Sequence, residues 1–452
     1  MRHAGQYVDY VPGFPFPGHC GYCPGVAEED SGTAVPAGAS LPDRIALGVL
    51  TRLITRELVE DVIAETGRKE QRKRLLPARV TVYFVLALAL FYGDSYEEVM
   101  RKLAQGLSWL AIWKREWHVP TASALAQARE RLGSEPLREL FERVAQPCAQ
   151  LSTAGAWLAG RRLMAIDGVE LDAADTPANA EYFGYSTQKS GTGPYPKVLV
   201  VALAECGTHA ITAIETAGAD CGESPLAIAL ARTPGNLGPG MLVTADRGLY
   251  SYDLATAITA AGADFALRVT AHLDLPVLQW LPDGSYLSYI ADPARKGQAQ
   301  FRNRNRPHLP PVQLTDLPGL HVRVVDYDVP GRGKGELFTV VTSVLDYQEL
   351  PAPDLAAAYH QRWEIELTFG EIETAQRGPA AVLRSRSPDL VIQELYGLLV
   401  THYAIRKLMA EAADQAELDP DRLSFTRALN IVRRQVTAQA AFSPLPPEPR
   451  HR

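Results

Sequence analysis

Three short stretches of this chain place acidic side chains where a phosphoryl-transfer centre would need them. Leu163-Met164-Ala165-Ile166 is an apolar run ending in Asp167-Gly168, and Met241 to Ala245 is another that ends on Asp246. Short apolar runs bounded by turn residues read as strands, and strand C-termini are where α/β sheets hold ligand-binding groups. Taken singly, each Asp also suits a turn or a helix cap. The third stretch, Tyr359-His360-Gln361-Arg362-Trp363-Glu364-Ile365-Glu366, spaces Tyr359, Arg362 and Glu366 by three and four. At about 100° per residue, Glu366 falls about 20° and Arg362 about 60° from Tyr359, so the three share one helix face while Glu364 points nearly the other way. An ordinary amphipathic helix with an Arg362–Glu366 ion pair at i, i+4 has the same spacing.

Three carboxylates brought together repel by about 4 kcal/mol per pair at 4 Å and an effective dielectric of 20, so their assembly calls for cations. Mg²⁺ or Mn²⁺, which prefer oxygen ligands, meet that need. Two such ions about 3.5 to 4 Å apart can activate a water or a 3′-hydroxyl and stabilise the leaving oxygen of an in-line displacement. Arg362 would then face a phosphate, and Tyr359 an unpaired base or a sugar. Asp172, Asp175, Asp253 and Glu371 lie past strand ends or off the shared helix face, and His360 and His402 read as structural. Gly191-x-Gly193 lacks the GxxxxGK[ST] pattern of a phosphate-binding loop, so no nucleotide cofactor is expected.

Such groups need a sheet and a helix to position them, and the chain supplies both. Residues 1–40 are rich in Gly and Pro and read as a mobile extension; within them His19-Cys20-x-x-Cys23 is half of a zinc site with no second pair at finger spacing. Residues 41–155 carry apolar positions at helical spacing and read as an all-helical module, with one helix opening at Thr121 and running towards Leu137. Strand and helix patterns then alternate over 156–272, the first part of an α/β core with a mixed sheet. A turn-rich β insertion follows over 273–351, the core resumes over 352–412, and 413–452 reads as a helical tail that looks truncated.

With 452 residues, more than one structural unit is expected. The 46% hydrophobic and 21% charged composition is that of a globular protein. The longest apolar run, Val80 to Tyr92, is too short to span a bilayer and reads as a buried helix. Five cysteines without an export signal point to a reduced, cytoplasmic chain. A net charge of −7 argues against DNA binding spread over the whole surface, but Arg68, Lys69, Arg72, Lys73, Arg74 and Arg79 crowd one segment and Arg295, Lys296, Arg302, Arg304 and Arg306 another, each of which also reads as a solvated loop.

Taken together, these blocks resemble a known family. Tyr359-x-x-Arg362-x-x-x-Glu366 is similar to the Tyr-Arg-Glu-Lys signature of the insertion-sequence-four group of DDE transposases. Ala165-Ile166-Asp167-Gly168 resembles its first catalytic block, and Thr244-Ala245-Asp246-Arg247-Gly248-x-Tyr250 its second. The resemblance covers residues 45 to 410. It implies a ribonuclease-H-like core in which Asp167, Asp246 and Glu366 hold two metal ions, with a β-rich insertion before the Glu. It implies binding of double-stranded DNA at terminal inverted repeats, release of the ends, joining of 3′-hydroxyls to target DNA, and a homodimeric synaptic complex. Its fourth signature residue, usually Lys, is Glu373 here; Arg377, one turn on, is the candidate to take over a phosphate contact. The alternatives on the same core are a metal-dependent nuclease without strand transfer and a degenerate transposase that only binds DNA.

Overall fold

The computed structural model describes residues 47–72, 76–108, 119–188, 191–270, 273–328, 337–360, 363–378 and 382–437. The Gly- and Pro-rich segment with His19, Cys20 and Cys23 lies outside the described residues, as do Lys73, Arg74, Arg362 and the end of the chain.

Among the described residues, a 3-10 turn at Gly48–Arg52 is followed by five α-helices: α1 (Arg56–Glu65), α2 (Ala78–Leu90), α3 (Tyr96–Ser108), α4 (Ala122–Leu132) and α5 (Glu135–Val144). Their starts follow from capping chemistry. The Thr55 hydroxyl accepts from the Leu58 amide at 3.2 Å and that of Thr121 from Ala124 at 3.3 Å, each satisfying an amide that the first turn leaves open. The single helix read from Thr121 to Leu137 is two. Gly133, with φ +71°, takes the left-handed conformation that ends α4, and α5 starts two residues later. All thirteen residues of α2 are buried, Arg79 and Thr81 with the apolar majority.

The strand-bearing chain follows: β1 (Trp157–Leu158), β2 (Arg161–Asp172), α6 (Pro177–Phe183), β3 (Tyr185–Gln188), β4 (Gly191–Glu205), β5 (Ala210–Ala217), α7 (Glu223–Arg232), β6 (Met241–Ala245), α8 (Tyr252–Ala260) and β7 (Asp264–Val269). The insertion holds β8 (Gln279–Trp280), β9 (Tyr286–Ala291), α9 (Pro293–Asn305), β10 (Gly319–Asp328) and β11 (Leu337–Thr342). The chain returns through α10 (Ala352–His360), α11 (Trp363–Gly370), α12 (Pro388–Gln415) and α13 (Phe425–Thr437).

Among the described residues these strands form one sheet in the order β3-β4-β2-β6-β7-β11-β10-β9-β8, with β5 also on β4 and β1 on β2. β2, β4 and β5 form an antiparallel meander, while β6 lies parallel to β2 and β7 parallel to β6. Numbered in chain order, these five strands run 3-2-1-4-5 across the sheet, the ribonuclease-H arrangement that the resemblance implies. The insertion is β-rich, as read, and continues the same sheet: β11 pairs antiparallel with β7, β10 with β11 and β9 with β10.

Side chains alternate between two cores. Leu163 and Ala165 of β2, with Val198, Val200 and Ala202 of β4, face the N-terminal helices and α10 to α13. Met164 and Ile166, with Leu199, Val201 and Leu203, face α7 and α8. The boundary near residue 155 therefore separates helical from strand-bearing chain without separating two cores. α2 and α5 pack on the C-terminal helix α12, and Arg129 of α4, 2% exposed, hydrogen-bonds Gln393, Ser385 and the Leu390 carbonyl. No described helix is long and apolar enough to cross a membrane.

Candidate active site

The two aspartates meet where one strand outruns its neighbour. Parallel pairing of β2 with β6 ends at Ile166↔Ala245, and the next residue on each side is Asp167 and Asp246. Adjacent strands lie about 4.8 Å apart, so the carboxylates start from neighbouring positions. β2 does not stop at Asp167, as its apolar run suggests. It continues to Asp172 because β4 keeps pairing with it, Asp167 opposite Ala202 and Asp172 opposite Lys197. Asp167 thus sits in mid-strand, with an open edge on the β6 side. Its Oδ1 accepts the Gly168 amide at 2.9 Å.

Asp246 keeps its side chain 40% exposed. Its Oδ1 is buried and accepts no hydrogen bond, and the Arg268 guanidinium stands 3.8 Å away while also lying 3.8 Å above the Phe338 ring. A buried carboxylate oxygen without a donor is costly, and oxygen-only donors suit a hard divalent cation, so the residues fit Mg²⁺ or Mn²⁺. Among the described residues no three Asp, Glu, His or Cys side chains stand close enough together to enclose an ion. The fold brings Asp167 and Asp246 together, and α11, which packs against β2, carries Glu366 as an exposed residue.

Arg362 falls outside the described residues, between α10 and α11, so the face it was read to share with Tyr359 and Glu366 is not described. Tyr359 is 3% exposed, and its hydroxyl donates to the Ala245 carbonyl at 3.2 Å. This placement gives Tyr359 a packing role that the sequence reading did not anticipate. The ring is enclosed by the core, and the hydroxyl ties α10 to the residue before Asp246. Arg377 is likewise buried, 7% exposed beside the Tyr92 ring, and its side chain is not presented to a phosphate on the surface. Glu373 lies in a π-helical turn, Glu371–Gln376, which continues α11. That wider turn departs from the α-helical count by which residues seven apart, such as Glu366 and Glu373, would share a face.

Several residues escaped the sequence reading. Glu364 is buried and its carboxylate accepts the Gly207 amide in the β4–β5 turn. Burial first, then the charges of Asp421 and Asp419, push its carboxyl up to about 8, against the lowering effects of the Gly207 bond and Arg406. Glu371 accepts from Arg406 Nε at 2.8 Å and lies 3.0 Å from His402 Nε2, while Arg406 donates to His209 Nδ1 at 2.6 Å. This buried network braces the π-helical turn that follows α11. Arg268 and Glu223 have no motif around them; only the sheet brings them near Asp246. Of the N-terminal basic cluster, Arg68, Lys69 and Arg72 line an open cleft of about 340 Å³ together with Arg131.

Comparison with known proteins places the chain in a family. Residues 44–142 match the insertion element 4 transposase N-terminal family, and residues 158–403 match the transposase DDE domain. The chain belongs to the insertion-element-4 DDE transposases. A relative from Escherichia coli (strain K12), the transposase InsG for insertion sequence element IS4, is 30% identical over 86% of this chain and 82% of its own length. The putative transposase InsZ of the same strain is 28% identical over 46% of this chain and 66% of that one. A piggyBac transposase in a synaptic complex with hairpin DNA overlays with a TM-score of 0.43 at 11% identity, over 87% of this chain and 80% of that one, too low a likeness to support an argument. The family expected from the three sequence blocks is the one found, and this bacterial insertion-sequence transposase is a DNA-cleaving and DNA-transferring enzyme.

Proposed function

We propose that this transposase cuts DNA at the ends of its own element and joins the freed 3′-hydroxyls to target DNA at a centre where Asp167, Asp246 and Glu366 hold two Mg²⁺ or Mn²⁺ ions. The observation that carries the reading is the register of β2 and β6, which sets Asp167 beside Asp246 at the end of the shorter strand. When bound, the ions would polarise the scissile phosphate and favour the attacking water or 3′-hydroxyl. The protein's own part is to hold that constellation. The strand pairing fixes the two aspartates, the Tyr359–Ala245 bond fixes the strand end, and the Glu364–Gly207 bond fixes the helix that presents Glu366. Arg68, Lys69 and Arg72 are proposed to meet the phosphates of the terminal inverted repeats, with synapsis by two copies of the chain.

The test is incubation of the purified protein with linear DNA carrying the element's ends, in Mg²⁺ or Mn²⁺ and in EDTA, comparing the wild type with Asp246→Ala. Metal-dependent cutting at the ends and joining to an acceptor, both lost in the variant, is the expected result. Cutting without joining would leave a nuclease, and binding without cutting in either metal would refute the proposal.

A further inference from the structure

Glu223 opens α7 and sets its carboxylate against the strand that carries Asp167. A Cβ on Gly168 would lie 2.6 Å from Glu223 Oε1 and 2.7 Å from its Cδ. The Glu223 carboxylate therefore occupies the volume that a side chain at residue 168 would fill, and a side chain there would displace it. Among the described residues no hydrogen bond or ion pair joins this carboxylate to a partner. The charges it feels are those of Glu170 and Asp246, both negative. A carboxylate beside like charges and without a protein donor gains from a cation placed between them. Asp246 Oδ1, buried and without a hydrogen bond, states the same deficit from the neighbouring strand.

The topology brings these groups to one opening. Gly168 shares the face of Met164 and Ile166, towards α7, whereas Asp167 alternates to the face towards α11. β6 ends at Ala245, so beyond it β6 no longer lies beside β2 to divide the two faces. We infer that Glu223 is a fourth carboxylate of the metal centre, approaching from the α7 side of the sheet as Glu366 approaches from the α11 side. This inference rests on the metal-centre reading above. It also gives the site one negative charge for each of the four positive charges on two divalent ions.

The experiment titrates Mn²⁺ alone, without DNA, into the full chain and reads affinity by calorimetry and by the metal-induced rise in melting temperature. Glu223→Gln keeps the shape and removes the charge. It weakens Mn²⁺ binding by roughly tenfold or more, the scale of losing one charge or one supporting group beside a divalent ion, and leaves the metal-free melting temperature unchanged or higher. Gly168→Ala, which displaces the carboxylate and leaves its charge in place, weakens Mn²⁺ in the same direction, and it decides the matter should Glu223→Gln fold poorly. Wild-type affinity in both variants, with loss of binding in Asp246→Asn, would overturn the role of Glu223 and leave the metal centre standing. Wild-type affinity in Asp246→Asn as well would overturn the centre and this inference with it.

Discussion

Glu364 makes the stability of this transposase depend on pH in a direction opposite to most carboxylates. Its carboxyl is held up to about 8, against 4.5 in the unfolded chain, chiefly by burial. Between those values the folded protein keeps a proton that the unfolded chain has released, so stability falls as pH rises through this window and levels off above about 8. At 1.36 kcal/mol per tenfold in proton affinity the full difference is at most about 5 kcal/mol, and local relaxation would reduce it to about 2 to 4 kcal/mol. Glu364→Gln keeps an acceptor for the Gly207 amide and abolishes the titration. Thermal melts of wild type and variant in EDTA, from pH 5 to 9, are expected to coincide near pH 5 and to separate in favour of the variant by several degrees at pH 8. Asp421 and Glu371 have carboxyls held down by His209, His402 and Arg406; that stability is lost as pH falls, in both proteins, and cancels in the difference. Parallel melting curves across the range would refute the argument, because they would mean that Glu364 is charged or solvated in the folded state.

Two further outcomes follow from the packing. Arg129→Met removes a buried guanidinium that hydrogen-bonds Gln393, Ser385 and the Leu390 carbonyl, and leaving those partners unmet should cost about 3 kcal/mol or more, read from urea unfolding. Tyr359→Phe strips one hydroxyl from the Ala245 carbonyl; about 1 kcal/mol of stability and a lower rate of end cleavage are expected, with DNA affinity in gel-shift titrations unchanged, whereas a drop in affinity alone would restore the stacking role.

The sequence by itself determined the family and the order of its parts. Met241 to Ala245 is a strand because a short apolar run between turn residues fits little else, and Asp246 ends it. The mostly apolar α2 had to be buried, and Thr121 had to cap a helix, because each is a local demand of hydrophobicity or of an open amide. The family pattern of Asp167, Asp246 and Glu366 was legible for the same reason: it is a matter of residue type and spacing. Only the tertiary structure decided the rest. That β2 outruns β6, so that Asp167 lies in mid-strand beside an open edge, depends on β4, whose pairing residues lie some thirty positions away in the chain. That Tyr359 points inward and holds a strand end, and that Glu364 is buried on a helix whose Glu366 is exposed, depend on which side of α10 and α11 the sheet occupies. The company kept by Glu223 was hidden for the same cause. A charge at a helix start is an ordinary cap when read along the chain, and becomes something else only when a non-local strand offers it a glycine and a second acid.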